Sequence, residues 1–230
     1  MNAGKIKNFE KLNTKSIRRI ILKWGTTNYK DFLWRKTDNK WHALLAEVLL
    51  QRTRVKAVVP VYNKLIKKFS EPVELANASL SEIEEIVYSL GLPARSVTLK
   101  NLAAKVALIE GQIPTNPEGI MQLPGIGSYI AAAWLSFHAG KKAVIIDANV
   151  VRWICRLVGR ECDGETRRKK WLIDLAKSLT PDRRVKDYNY AVLDFTMEIC
   201  VKNPLCEICP LGAKFCQYGR QKLRQNTPAV

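Results

Sequence analysis

Apolar residues recur along this chain at intervals of three and four, the spacing that gathers them on one face of an α-helix. Between residues 40 and 51, Trp41, Leu44, Leu45, Val48 and Leu49 form such a stripe. The same period runs through the basic segment 16–24, which Gly25 is expected to stop. Further helices are predicted at 55–69, 80–90, 96–109, 116–122, 128–139, 148–157, 167–179 and 187–199. The period-two alternation of strands is scarce, so the predicted fold class is all-α. No solenoid-length repeat and no low-complexity tract interrupts the pattern, and residues 1–13 and 217–230 are expected to be loosely ordered.

A chain of 230 residues, 47% of them hydrophobic, can build one large domain or two compact halves. Thirty-eight Lys and Arg against 21 Asp and Glu leave a net charge of +17, which points to a polyanionic partner such as nucleic acid. The charge is spread along the chain, with runs at 167–170, 183–184 and 220–224, and suits a strip of phosphate contacts better than a membrane anchor. The most apolar stretch, 130–137, is too short to span a bilayer. Residues 1–10 lack an apolar core, so no signal peptide is expected, and a reducing, cytoplasmic setting is. There, six cysteines argue for metal ligation or free thiols before disulfides.

The segment 121–127 sits between two predicted helices and contains Leu123, Pro124, Gly125, Ile126 and Gly127. Glycines allow a tight turn and close approach, and the helix that follows at once would aim free amides outward, an anion site by geometry and dipole. An ordinary helix–helix turn is the plainer meaning of a lone Gly-x-Gly; the basic chain around it favours the phosphate reading. Near the C-terminus, Cys200, Cys206, Cys209 and Cys216 are spaced C-x5-C-x2-C-x6-C. Four thiols in one short loop make a metal site by count, and spacing alone leaves zinc and iron–sulfur open. Cys155 and Cys162 fall outside this group and are expected to be buried or free thiols. Lys202 and Lys214 flank the ligands and could touch phosphates.

Glu47 lies within an apolar helix, where a carboxyl group needs a partner or a proton; a nearby arginine is one plain way to supply it. Gln51, four residues on, is expected to share its face. Asp147 ends the apolar run 144–146 and begins a helix, as an N-cap does, and a helix N-terminus favours an ionised carboxylate. Asn149 could add a polar contact beside it. Tyr129 follows the hairpin at the start of a helix.

The segment 123–129, followed by Ile146, Asp147, Ala148 and Asn149, resembles the helix-hairpin-helix and Asp signature of the endonuclease III and MutY superfamily of DNA glycosylases. The resemblance runs from about Phe32 to Cys216. It implies that Gly125 and Gly127 bind a backbone phosphate, with Leu123 in the same DNA-facing hairpin, and that Asp147 is the catalytic carboxylate. The segment from Leu33, Trp34 and Arg35 to Glu47, Gln51 and Arg52 is similar to the N-terminal motif of MutY and the Mig-type mismatch glycosylases. That implies service to the leaving base for Glu47 and entry into the base stack for Gln51, with Arg52 beside it on the DNA. Tyr129 stands where bifunctional relatives carry lysine, which implies hydrolysis without strand cleavage. The four cysteines resemble the family's C-x6-C-x2-C-x5-C loop, shifted by one residue on each side of the central pair, which implies a 4Fe-4S cluster.

The expected architecture is a two-part helical glycosylase: a six-helix domain at 27–141, and a cluster domain from 1–26 with 142–230, the hairpin and Asp147 lining opposite sides of a cleft. The expected function is monofunctional excision of a mismatched base from double-stranded DNA by a monomer. Thymine or uracil opposite guanine is favoured, because the chain ends soon after Cys216, residues 90–95 lack MutY's paired tyrosines, and Asp147, Ala148 and Asn149 match the Mig pattern. The alternative is a MutY-like adenine glycosylase. From other classes stand a non-catalytic DNA-binding iron–sulfur protein and an electron-transfer protein; Glu47 and Asp147 argue against the first, the hairpin and heavy basic charge against the second.

Overall fold

The computed structural model describes residues 12–91 and 94–225, and every regular element among them is helical. The chain falls into two compact units, one formed by Asp31–Lys141 and one by the described parts of Met1–Lys30 and Lys142–Val230. The stretch 90–95, which bears on substrate choice in the sequence, includes residues 92 and 93, which lie outside the described residues, as do 1–11 and 226–230.

The unit Asp31–Lys141 holds α2 (Leu33–Lys36), α3 (Lys40–Leu49), α4 (Val55–Lys68), α5 (Pro72–Asn77), α6 (Leu80–Val87), α7 (Arg95–Leu108), α8 (Pro117–Met121) and α9 (Ser128–Phe137). Local chemistry sets the starts. Asn39 Oδ1 accepts from His42 N–H at 3.0 Å, and Asn116 Oδ1 from Gly119 N–H at 2.7 Å, each satisfying an orphan amide. Ser79 and Glu82 form a capping box, and the hydrogen bond from the Ser79 backbone N–H, with the serine hydroxyl and Lys68, holds the Glu82 carboxyl down at about 2. Pro72 and Pro117 occupy first-turn positions, where a missing N–H costs nothing. Helix α3 is buried from Trp41 through Leu49 apart from His42, and it packs against α4 and α9. Trp34 stacks on Phe32 and meets Tyr62 edge-on at 5.3 Å, which ties α2 to α4.

The other unit holds α1 (Thr14–Thr27), α10 (Ala148–Leu157), α11 (Lys170–Leu179), α12 (Val185–Glu198), α13 (Gly212–Phe215) and α14 (Gln217–Gln225). Its core gathers Ile17 and Ile21 of α1 with Trp153 and Ile154 of α10, Leu175 of α11 and Phe195 of α12. Three expectations change here. Gly25 does not stop α1, which continues to Thr27; a Cβ at Gly25 would come within 2.4 Å of the Ala191 Cβ, so the glycine serves close approach to α12. Residues 217–225, expected to be loose, form α14, which packs on α10. Helices α2, α5 and α13 are too short to show a period and went unpredicted. Asn13, expected to be loosely ordered, caps α1 by accepting from Ser16 N–H.

Candidate active site and cysteine loop

In the unit Asp31–Lys141, α8 leads through a turn into α9. Gly125 has φ +77°, and a Cβ there would meet Thr98 Cγ2 at 2.4 Å, so glycine is required on two counts. Gly127 differs: its φ is −94°, and nothing lies within 4 Å of where its Cβ would be. Gly127 is the N-cap of α9, and no side chain caps that helix. The hairpin thus presents an uncapped helix N-terminus behind open space. Leu123, in the same hairpin, has its side chain packed away, 4% exposed. Tyr129, in the first turn of α9, is exposed.

Glu47 is buried in α3. Its partner is His138, whose Nε2 lies 3.1 Å from Glu47 Oε1. Gln51 and Arg52 fall past the end of α3, so the expected shared helical face with Glu47 ends at Leu49. Both are exposed in a turn where Arg52 adopts the left-handed conformation, φ 57°, rare for a side chain of its size. Arg95 ties that turn down from within. Its Nη1 donates to the Leu49 carbonyl at 2.8 Å, and its Nη2 to the Gln51 carbonyl at 3.2 Å and to Thr53 Oγ1 at 2.9 Å. Burial disfavours its charged form, which those three acceptors stabilise.

In the other unit, Asp147 is the N-cap of α10: its Oδ1 accepts from Val150 N–H at 2.7 Å, and its second oxygen lies 3.4 Å from Asn149 Nδ2. Asn149 Oδ1 accepts in turn from Arg152 Nη1 at 2.9 Å. Arg152 also donates to the carbonyls of Thr196 and Cys200. One turn on, Arg156 donates to the carbonyls of Val201 and Lys202 at 2.6 and 2.7 Å and lies 3.6 Å from Cys200 Sγ. Two arginines of α10 therefore hold the start of the cysteine loop. Lys202 contributes its carbonyl here, and Lys214 lies over the Phe215 ring.

Cys200, Cys206, Cys209 and Cys216 line one recess, with Trp153 and Phe195 on its apolar wall. Burial raises the thiols of Cys206, Cys209 and Cys216, the last to about 11. Among the described residues, no three Cys, His, Asp or Glu side chains converge closely enough to hold a single metal ion. Cys155 and Cys162 do not line this recess and share a side-chain hydrogen bond; burial raises Cys155 to about 12, and Cys162 is exposed.

Residues 45–193 match the HhH-GPD superfamily of base excision DNA repair proteins, and the chain belongs to that superfamily. It is 35% identical over 216 residues to the thymine/uracil-DNA glycosylase of Pyrobaculum aerophilum, a match covering 90% of this chain and 93% of that one. A solved thermostable thymine-DNA glycosylase superposes with a TM-score of 0.82 at 34% identity, over 90% of this chain and 97% of that one. The chain is also 32% identical over 208 residues to the adenine DNA glycosylase of Rattus norvegicus, covering 85% of this chain but 40% of the relative. No helix among the described residues is long and apolar enough to cross a membrane.

Sequence reasoning missed two residues. His138 is 91 positions from its partner, and only the buried carboxyl in search of a donor, in a chain with two histidines, signalled it. Arg95 carried no local signal beyond a basic residue at a helix start.

Proposed function

We propose that this protein is a monofunctional DNA glycosylase that excises thymine or uracil opposite guanine from double-stranded DNA by hydrolysis. The observation that carries the reading is near-full-length similarity to thymine/uracil-DNA glycosylases, with the chain spanning 93% of the first and 90% of the second. The adenine glycosylases it resembles are much longer, and this chain spans 40% of the rat enzyme.

The proposed chemistry follows from the groups in place. The uncapped start of α9 at Gly127 receives a backbone phosphate, with Gly125 shaping the turn. Gln51 and Arg52, exposed on a turn anchored by Arg95, face the DNA, and Gln51 fills the space of an extruded base. A wobble pair is already misaligned, so its base leaves the stack at lower cost. Glu47 supplies a proton to the departing base. Asp147, an anion at a helix N-terminus with Asn149 beside it, stabilises the positive charge developing on the sugar and orients water. Tyr129 has no amine, so no imine with the sugar forms there.

The donor set fits a 4Fe-4S cluster, as the resemblance implies: four cysteines line one recess with an apolar wall. Cys200, Cys206, Cys209 and Cys216 would hold it. Bound there, the group would supply covalent cross-links fixing the loop that Arg152 and Arg156 already hold. The hairpin domain, expected at 27–141, is proposed to be the unit Asp31–Lys141, and the cluster domain, expected at 1–26 with 142–230, the other unit, since a boundary at 26/27 would cut α1. The test is a set of duplexes carrying T·G, U·G, A·G and adenine opposite oxidised guanine, each followed by alkaline cleavage at abasic sites. Cleavage confined to T·G and U·G supports the substrate; efficient release of adenine but not thymine reassigns it.

A further inference from the structure

Glu47 and His138 form a closed pair. Their side chains are 6% and 4% exposed, and Nε2 lies 3.1 Å from Oε1. The imidazole has little freedom to leave. His138 N–H donates to the Trp134 carbonyl where α9 ends, and Gly140, at φ +64°, turns the chain so that Lys141 N–H returns to the Leu135 carbonyl. The rings of Trp134 and Phe137 lie 5.4 and 6.1 Å from the imidazole, and Trp134 is itself pinned by donating Nε1–H to the Pro114 carbonyl.

We propose that His138 is a positioning residue for Glu47, donating Nε2–H to Oε1 so that the acid proton resides on Oε2, the oxygen left to meet a departing base. The inference rests on the glycosylase reading and on Glu47 as its acid. As the C1′–N bond breaks, its electron pair leaves with the base, and the proton on Oε2 passes to that base. Water then forms the new bond to C1′ and loses its proton to solvent. Glu47 is left as a carboxylate whose Oε1 already faces a donor. Before the transfer that hydrogen bond meets a carboxylic acid; after it the acceptor is a carboxylate, and a hydrogen bond to an anion is the stronger kind. It therefore strengthens along the reaction and favours the transition state over the bound substrate.

The test compares wild type, His138→Leu and His138→Gln on duplexes carrying thymine, uracil or 5-fluorouracil opposite guanine, by single-turnover base release and duplex affinity. Electron-withdrawing fluorine makes its base the best leaving group and the least dependent on an acid. His138→Leu should slow thymine release by about tenfold to a hundredfold. It should slow 5-fluorouracil release much less and leave affinity unchanged. His138→Gln, whose amide N–H can replace Nε2–H, should restore most of the thymine rate. Equal slowing for all three bases, or a Gln variant as slow as Leu, would overturn the assignment, since a packing role makes no distinction among leaving groups. Should the Leu variant fail to fold, Gln is set against Glu47→Gln: a near-normal rate in the first and a slow one in the second supports the pair, and equal slowing contradicts it. A wild-type enzyme that releases no base from any duplex removes the glycosylase reading itself, whereas an active wild type matched by His138→Leu removes only His138.

Discussion

Arg152 donates from both Nε and Nη2 to the carbonyl of Cys200, at 3.0 and 2.9 Å, while its Nη1 reaches Asn149 Oδ1. Asn149 in turn lies against Asp147. One side chain of α10 thus bears on the first residue of the cysteine loop and on the neighbour of the proposed catalytic carboxylate.

Replacing that guanidinium leaves carbonyls without donors and Asn149 without its anchor. Arg152→Leu is expected to destabilise the fold by about 2 kcal/mol or more, since hydrogen bonds to charged groups are the stronger kind. Iron content per chain, thermal unfolding and base release should all fall together. Retention of full iron content and full activity would show that α10 positions neither end.

The two hairpin glycines separate structure from binding. Gly125→Ala forces a side chain into a left-handed position and into Thr98 Cγ2, so the melting temperature should drop, by roughly 1–3 kcal/mol of stability. Gly127→Ala meets no protein atom, so its melting temperature should stay unchanged while duplex affinity weakens. Unchanged affinity in Gly127→Ala would place the phosphate elsewhere.

Tyr129 leads to a chemical prediction. Borohydride added during turnover should trap no covalent enzyme–DNA adduct, because a phenol forms no imine. Efficient trapping in the wild type, at any lysine, would contradict monofunctional hydrolysis. Tyr129→Lys places an amine at that position and is expected to gain a trappable adduct.

Much of this molecule was legible in the sequence where one element carries its own signal. The stripe from Trp41 to Leu49 is α3, and Asp147 does cap α10, because helical period and capping are local chemistry. Gly25 misled because a glycine inside a helix and a glycine ending one look alike until Ala191 is seen against it. Helix α14 escaped because it is strongly polar and takes its order from packing on α10. Gln51 slipped off the face of Glu47 because α3 ends two residues earlier, in a turn held by Arg95 from another helix. Partnerships across long separations, such as Glu47 with His138, leave no periodic trace.

Asp147 is proposed to carry the excision of thymine opposite guanine. The direct measurement is single-turnover release of free thymine from a T·G duplex by wild type and by Asp147→Asn, with duplex affinity read on both. Asparagine can still cap α10 but brings no charge to a developing cation, which raises the barrier by about 3 kcal/mol or more and lowers the rate roughly a hundredfold. Rapid thymine release by wild type is expected, with release slowed at least that far in Asp147→Asn and similar affinity for both. Near-equal release rates in the two proteins, or no thymine released by wild type, would contradict it.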